Sequence, residues 1–252
     1  MNVLEGGTRV YGPEDGKVIT HGTWSARTLV CRETGAKQIA QTINEYAPGR
    51  SPVVVNPAAE EVLYIMRGEG VCHVNGFTYP VKPGCAVYVP AGAEYSVENS
   101  GRETLRVVSV CCPEDPQRHI VENPRLAATG VAPRLMVHES DREDIRAGTD
   151  RLFRFLVHKD LGCQQITQFV GFIPPSKAPI HYHTYEEAIH IVEGTGIVHT
   201  DGGDAEFGPG SSIYFPVGAR HCVENNGTAS IRLLGVFYPS GSPGAAYEDD
   251  KH

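Results

Sequence analysis

No stretch of this sequence is rich in lysine and arginine, and its 22 basic residues are outnumbered by 30 acidic ones, a formal net charge of -8. The long-range field therefore repels phosphate backbones and anionic lipid surfaces, which argues against nucleic acid and membranes as partners. No apolar run approaches the roughly 18 residues of a membrane span. The N-terminus MNVLEGGTRVYGPEDG has neither a basic nor an apolar leader region, so a cytoplasmic location is the expectation. Cysteine is sparse, with seven residues and no C-x-x-C spacing. That pattern argues against a disulfide framework and for buried thiols. Glycine and proline, 28 and 18 residues, are spread along the chain rather than clustered. Such spreading favours many short strands joined by tight turns over long helices, and an all-β architecture is expected.

What is present is a unit written twice. At an offset of 126, Glu61 maps to Glu187, Gly68 to Gly194, Gly70 to Gly196, Tyr88 to Tyr214, Asn99 to Asn225 and Arg106 to Arg232. Upstream the offset is 127, as Leu29 with Leu156, Gln41 with Gln168 and Pro52 with Pro179 show, so the halves differ by one residue between Pro52 and Glu61. A proline- and charge-rich joint covers 113–150. The expected domains are residues 1–125 and 126–252, each of ordinary size. Period-two runs such as EVLYIM, AIHIVEG and SSIYFP, bounded by Gly, Pro or Asn, read as strands. The glycine pairs Gly68/Gly70 and Gly194/Gly196 are read as reversals with positive φ.

The chemistry is concentrated in HYHTYEEAIHIVEG, residues 181–194. On an extended segment His181 and His183 point the same way. Glu187 follows across a turn, and a third imidazole, His221, comes from GARHCVEN. Three imidazoles and a carboxylate suit one divalent first-row metal: Fe, Mn, Ni, Co or Zn. The spacing His181-x-His183-x3-Glu187-x6-Gly194, then Gly210-x5-Pro216-x-Gly218-x2-His221-x3-Asn225, resembles the two signature motifs of the cupin superfamily. The resemblance covers about residues 25–112 and 150–240. It implies two tandem cupin barrels, each a jelly roll or double-stranded β-helix, and His181, His183, Glu187 and His221 as metal ligands. Glu186 is the rival carboxylate. In the first half Tyr95 stands at the place of His221, and Val54 or Val55, then Asn56 or Pro57, stand at the His pair, so only Glu61 survives. No metal is expected there.

Other polar residues have blander readings. His190 should face out of the barrel in a structural or interface role, with Tyr64 as its repeat partner. His199, matched by His73, belongs to strand-turn hydrogen bonding, and Tyr88 and Tyr214 pack outside or between barrels. Arg220 and Lys177 are surface charges. Ile189, Ile191, Ile213 and Phe215 are expected to line an apolar pocket, with Gln168 beside them. The resemblance implies a metal-dependent enzyme on a small oxygenated organic substrate, with Glu187 as a catalytic base. A dioxygenase is the first expectation. A Lewis-acid isomerase, lyase or hydrolase, or a small-ligand binder without turnover, is the alternative. A homodimer with an exposed YEDDKH tail is expected.

Overall fold

The computed structural model describes every residue except 126, 149 and 244–252, and the YEDDKH tail lies outside the described residues. The architecture is all-β: two jelly-roll barrels, with four short 3-10 segments among the described residues. In the first barrel a seven-stranded sheet runs in the order Met136–His138, Cys85–Val89, Glu60–Arg67, Leu105–Cys112, Ala40–Tyr46, Trp24–Val30, Val18–His21. It faces a smaller sheet built on Phe77–Val81, Gly70–Val74 and Glu94–Asn99. The second barrel repeats this plan, with an eight-stranded sheet around Glu186–Glu193 and a four-stranded sheet around His221–Asn225.

Burial patterns show why the strands read differently in sequence. Phe77–Val81 and Gly203–Phe207 alternate buried and exposed residues because their outer face meets water. Glu60–Arg67 and Glu186–Glu193 are buried nearly throughout. Their outer faces pack against the other barrel, so both sides of the pleat are covered. One apolar cluster accordingly runs from the interior of the first barrel, through Val62, Leu63 and Tyr64, to Ala188, Tyr214, Leu234 and Val236 of the second. A separate cluster, including Ile189, Ile191, Ile213 and Phe237, fills the second barrel.

The barrels exchange edges. Arg9–Tyr11 pairs with Ser212–Phe215 of the second barrel, Arg9 opposite Tyr214. Its repeat counterpart Met136–His138 pairs with Cys85–Val89 of the first, Met136 opposite Val87. A cut between residues 125 and 126 therefore separates strands from the sheets they complete. Three-residue strands carry too little pattern to show which sheet receives them.

The glutamate doublets fasten the same interface. Glu60 accepts hydrogen bonds from Tyr88 Oη at 2.7 Å and from the Gln165 amide at 3.1 Å. Glu186 accepts from the amides of Gln38 and Ile39 at 3.1 and 3.3 Å. Each thus satisfies backbone donors of the opposite barrel, which would be costly to leave orphaned in a buried site. The turn glycines divide by cause. Gly68 and Gly194 have φ of 82° and 88°, and a Cβ on either would lie 2.9 Å from the Cα of Leu105 or Ile231. Gly70 and Gly196 lack a positive φ; they are glycine because the Glu98 and Glu224 carbonyls press against them.

His190 does face out of its barrel, yet is buried against the neighbouring one, with Nδ1 3.1 Å from Ser212 Oγ. Burial, and then the Arg106 guanidinium, pull its pKa from 6.5 down to about 3. Between those values the unfolded chain binds a proton that the folded chain refuses. Stability should be unaffected by His190 above about pH 6.5 and fall by up to roughly 1.4 kcal/mol per pH unit below it. In urea unfolding between pH 7 and 4.5, His190→Asn should show a slope shallower by about 1 kcal/mol per unit. Equal slopes in both proteins would mean that His190 is protonated in the folded state.

Candidate metal centre

The loop carrying the histidine pair is zipped to the strand carrying His221. His181 and His221 exchange backbone hydrogen bonds of 2.9 and 2.8 Å, and Gly218 N–H donates to His183 O at 2.9 Å. Two turns far apart in sequence are thereby held in one register. Glu186–Glu193 begins beside them, and its alternation turns Glu187 inward while Glu186 faces the other barrel. The nitrogens of His181, His183 and His221 lie within 4.8 Å of one another. Glu187 Oε2 is 3.3 Å from His183 Nε2 and 3.5 Å from His221 Nε2.

Ring orientation is fixed from outside. The carbonyls of Pro179 and Ala219 sit 3.1 and 2.9 Å from Nδ1 of His181 and His221, and a carbonyl can only accept. Both rings therefore carry a proton on Nδ1, which leaves Nε2 as the nitrogen that would take a metal. Phe215 stacks on His221 at 3.7 Å between centroids, and Tyr185 stacks on His183 at 4.9 Å. Burial, and next the neighbouring His221, bring the His181 pKa down to about 4, so it is neutral at pH 7. For Glu187 burial acts to raise the pKa, but His183 and His221 outweigh it and hold the carboxyl well below its usual range. A carboxylate and three imidazoles converging on one buried point form a donor set that fits a divalent transition ion.

The cluster opens into a cavity of about 550 Å³, counting its solvent-open mouth. Phe153, Phe169, Phe172 and Phe237 line much of it, together with Ile189 and Arg151. Of the five side chains expected to form the pocket, Ile189 is among the lining residues. Ile191 and Ile213 are fully buried deeper in the barrel core. Phe215 lies behind His221 rather than on the cavity. Gln168 alternates with the cavity-lining Phe169 and so points away; both its amide atoms are buried without a partner, as are those of Gln41. Alternation predicts which face a residue takes but not its depth along the barrel, and for Gln168 the expected face was the wrong one. His199 bridges Asp204 and Glu224 at 2.8 and 2.6 Å, matching His73 with Glu98 in the first barrel. Arg220 and Lys177 are exposed and paired with Asp201 and Glu224.

The first barrel resolves the open alternatives of register. Val54 pairs with Tyr95 as His181 does with His221, so Asn56 stands for His183. Asn56 Nδ2 and Tyr95 Oη donate to Glu61 at 2.6 and 2.8 Å, and Arg118 Nη1 reaches both carboxylate oxygens at 3.0 Å. Arg118 also donates to Tyr95 Oη at 2.7 Å and lies over the Trp24 ring. A guanidinium from the joint thus supplies the positive charge beside Glu61. Neither Arg118 nor Arg151 stood out in the sequence. Arg118 has no counterpart in the repeat, and Arg151 maps to Trp24, a substitution that an offset comparison makes visible.

Two interlocked jelly rolls with a histidine cluster at one mouth define a duplicated small-barrel protein. The chain belongs to the cupin superfamily: the family description "Cupin domain" matches residues 43–111 and 169–237. Among curated proteins it is similar to an oxalate-binding protein of Thermotoga maritima, 40% identical over 50 residues, 20% of this chain and 41% of that protein. It is 37% identical over 65 residues to an uncharacterized protein of Methanocaldococcus jannaschii, 25% of this chain and 52% of that protein. The matches therefore span about half or less of those relatives' length. Among solved structures, one of oxalate decarboxylase superposes with a TM-score of 0.76 at 14% identity, over 92% of this chain and 77% of that one. A Bacillus subtilis oxalate decarboxylase variant gives 0.74 at 15%, over 91% and 76%. At that identity the likeness is one of fold.

Removing the guanidinium leaves Glu61 as an uncompensated buried charge. Arg118→Leu should cost about 3–5 kcal/mol in urea unfolding. Combined Arg118→Leu and Glu61→Gln should recover most of that loss, and a single variant within about 1 kcal/mol of wild type would show that the pair does not hold the barrel.

Proposed function

We propose that the second barrel binds one divalent first-row transition metal through His181, His183, His221 and Glu187, and that the protein is a metal-dependent enzyme for a small oxygenated organic molecule, in first instance a dioxygenase. The observation that carries this is the convergence of the three imidazoles and the Glu187 carboxylate on one buried point, with Nδ1 of His181 and His221 held by carbonyls. Such an ion would supply Lewis acidity and, for Fe, Mn, Co or Ni, redox chemistry. The chain does the rest. Phenyl rings at Phe153, Phe169 and Phe237 bind the apolar body of the substrate and exclude water. Glu187 is the sole carboxylate among the described lining residues and is the group that would act as base.

A Lewis-acid lyase, isomerase or hydrolase is the second reading, favoured by the fold likeness to oxalate decarboxylase. The phenyl and aliphatic lining suits a substrate with an apolar body better than a small polar diacid, which places this reading second. Similarity to an oxalate-binding protein supports the further alternative, a small-ligand binder without turnover. We take the working form to be a homodimer, with the exposed edge strand Val18–His21 as a surface available for pairing.

Protein purified without added metal should contain about one equivalent of a transition metal per chain. The His181→Ala, His221→Ala double variant should lose it while unfolding as cooperatively as wild type. Less than about a tenth of an equivalent in wild type, or full occupancy in the variant, would remove the reading. Oxygen uptake with catechols, β-diketones and flavonols separates the oxygenase from the Lewis acid.

A further inference from the structure

Arg151 opens the strand Arg151–Val157 and lines the same cavity as the histidine cluster. Its Nη2 donates to the carbonyl of Val223, two residues beyond His221, which ties the guanidinium to the strand that carries a ligand. Its Nε–H is buried and has no acceptor among the described residues. Nor does Arg151 form a salt bridge among the described residues, whereas the exposed Arg220 and Lys177 are both paired with carboxylates. A buried donor on a permanent cation, left without an acceptor in a cavity of phenyl and aliphatic groups, is a position that an incoming anion would satisfy.

The repeat shows that the fold does not require this arginine. At the same place in the first barrel stands Trp24, whose indole N–H donates to Asn44 Oδ1 at 2.9 Å and fills the interior. The counterpart of Asn44 is Gly171, which lines the cavity. Replacing a Trp–Asn pair by Arg–Gly removes a plug and leaves a cation in its place. Both changes favour a charged occupant.

We propose that Arg151 is the specificity-determining residue of this site and that the substrate is a small organic carboxylate with an aromatic or branched apolar body. Its oxygen-bearing end faces His181, His183, His221 and Glu187. Its body packs among Phe153, Phe169 and Phe237, and its carboxylate accepts from the Arg151 guanidinium. The assignment deepens the functional reading above and rests on the cavity being the substrate site.

The test is calorimetric titration of the metal-loaded protein with 3,4-dihydroxyphenylacetate and with its uncharged methyl ester. The acid should bind about 10–100-fold more tightly than the ester, the range expected for a hydrogen bond to a charged group. In Arg151→Gln that ratio should fall to near one with metal content and affinity for 4-methylcatechol unchanged. Arg151→Lys, which keeps the charge and the apolar stem, should retain part of the preference. A ratio near one in wild type, a ratio preserved in Arg151→Gln, or no binding of the acid overturns the proposal. Metal content and 4-methylcatechol affinity report separately on the metal reading. Should the protein hold no metal, the ratio for phenylacetate against phenylacetamide still decides the role of Arg151.

Discussion

At the centre of each barrel a glutamate is buried at the start of a fully covered strand, Glu61 in one and Glu187 in the other, 0% and 5% exposed. A carboxylate taken out of water must meet positive charge or several donors, or else take up a proton. Around that constraint the duplicated halves diverge. In the first barrel a guanidinium from the joint enters through the mouth and, with Asn56 and Tyr95, closes over the charge. In the second the same shell is made of imidazoles, which leave the carboxylate facing a cavity. One version gives a sealed interior and the other an open centre. The backbone pairing that positions the shell, Val54 with Tyr95 and His181 with His221, is common to both.

The interface between the barrels obeys a related rule. The first glutamate of each doublet points the other way and meets amides of the opposite half, Glu60 with Gln165 and Glu186 with Gln38 and Ile39. Two adjacent carboxylates thus serve different ends because neighbouring residues on a strand face opposite sides. The pseudo-symmetry is not complete. Arg232 meets Tyr64 and Glu139 across the interface, at 2.6 and 2.7 Å, whereas its repeat partner Arg106 is set against His190, a neutral ring in the place of Tyr64.

Much of this was legible beforehand. The 126-residue offset revealed the duplication, the alternation in EVLYIM and SSIYFP revealed strands, and the spacing of His181, His183, Glu187 and His221 pointed to a single convergence. These are local patterns, and local geometry decides them. What escaped was set by distant parts of the chain. Arg118 gains its meaning from Glu61, 57 positions away, and Arg151 from a cavity that exists because Gly171 lacks the side chain of Asn44. Ile191 and Ile213 belong to the barrel core and do not line the cavity, since period two carries no information on depth. Gly70 and Gly196 resemble turn residues in sequence, yet are dictated by carbonyls of another strand.

The exchanged edge strands also bear on how such a chain is made. Residues 9–11 leave the ribosome roughly 200 positions before Ser212–Phe215, the strand they pair with, at a synthesis rate of about 5–20 residues per second. During those tens of seconds the segment has no sheet to join, while the first barrel waits for Met136–His138 to cover its own edge. The halves cannot mature strictly one after the other. Closure of the second barrel reaches back about 200 positions to residues 9–11, so the two halves are completed together.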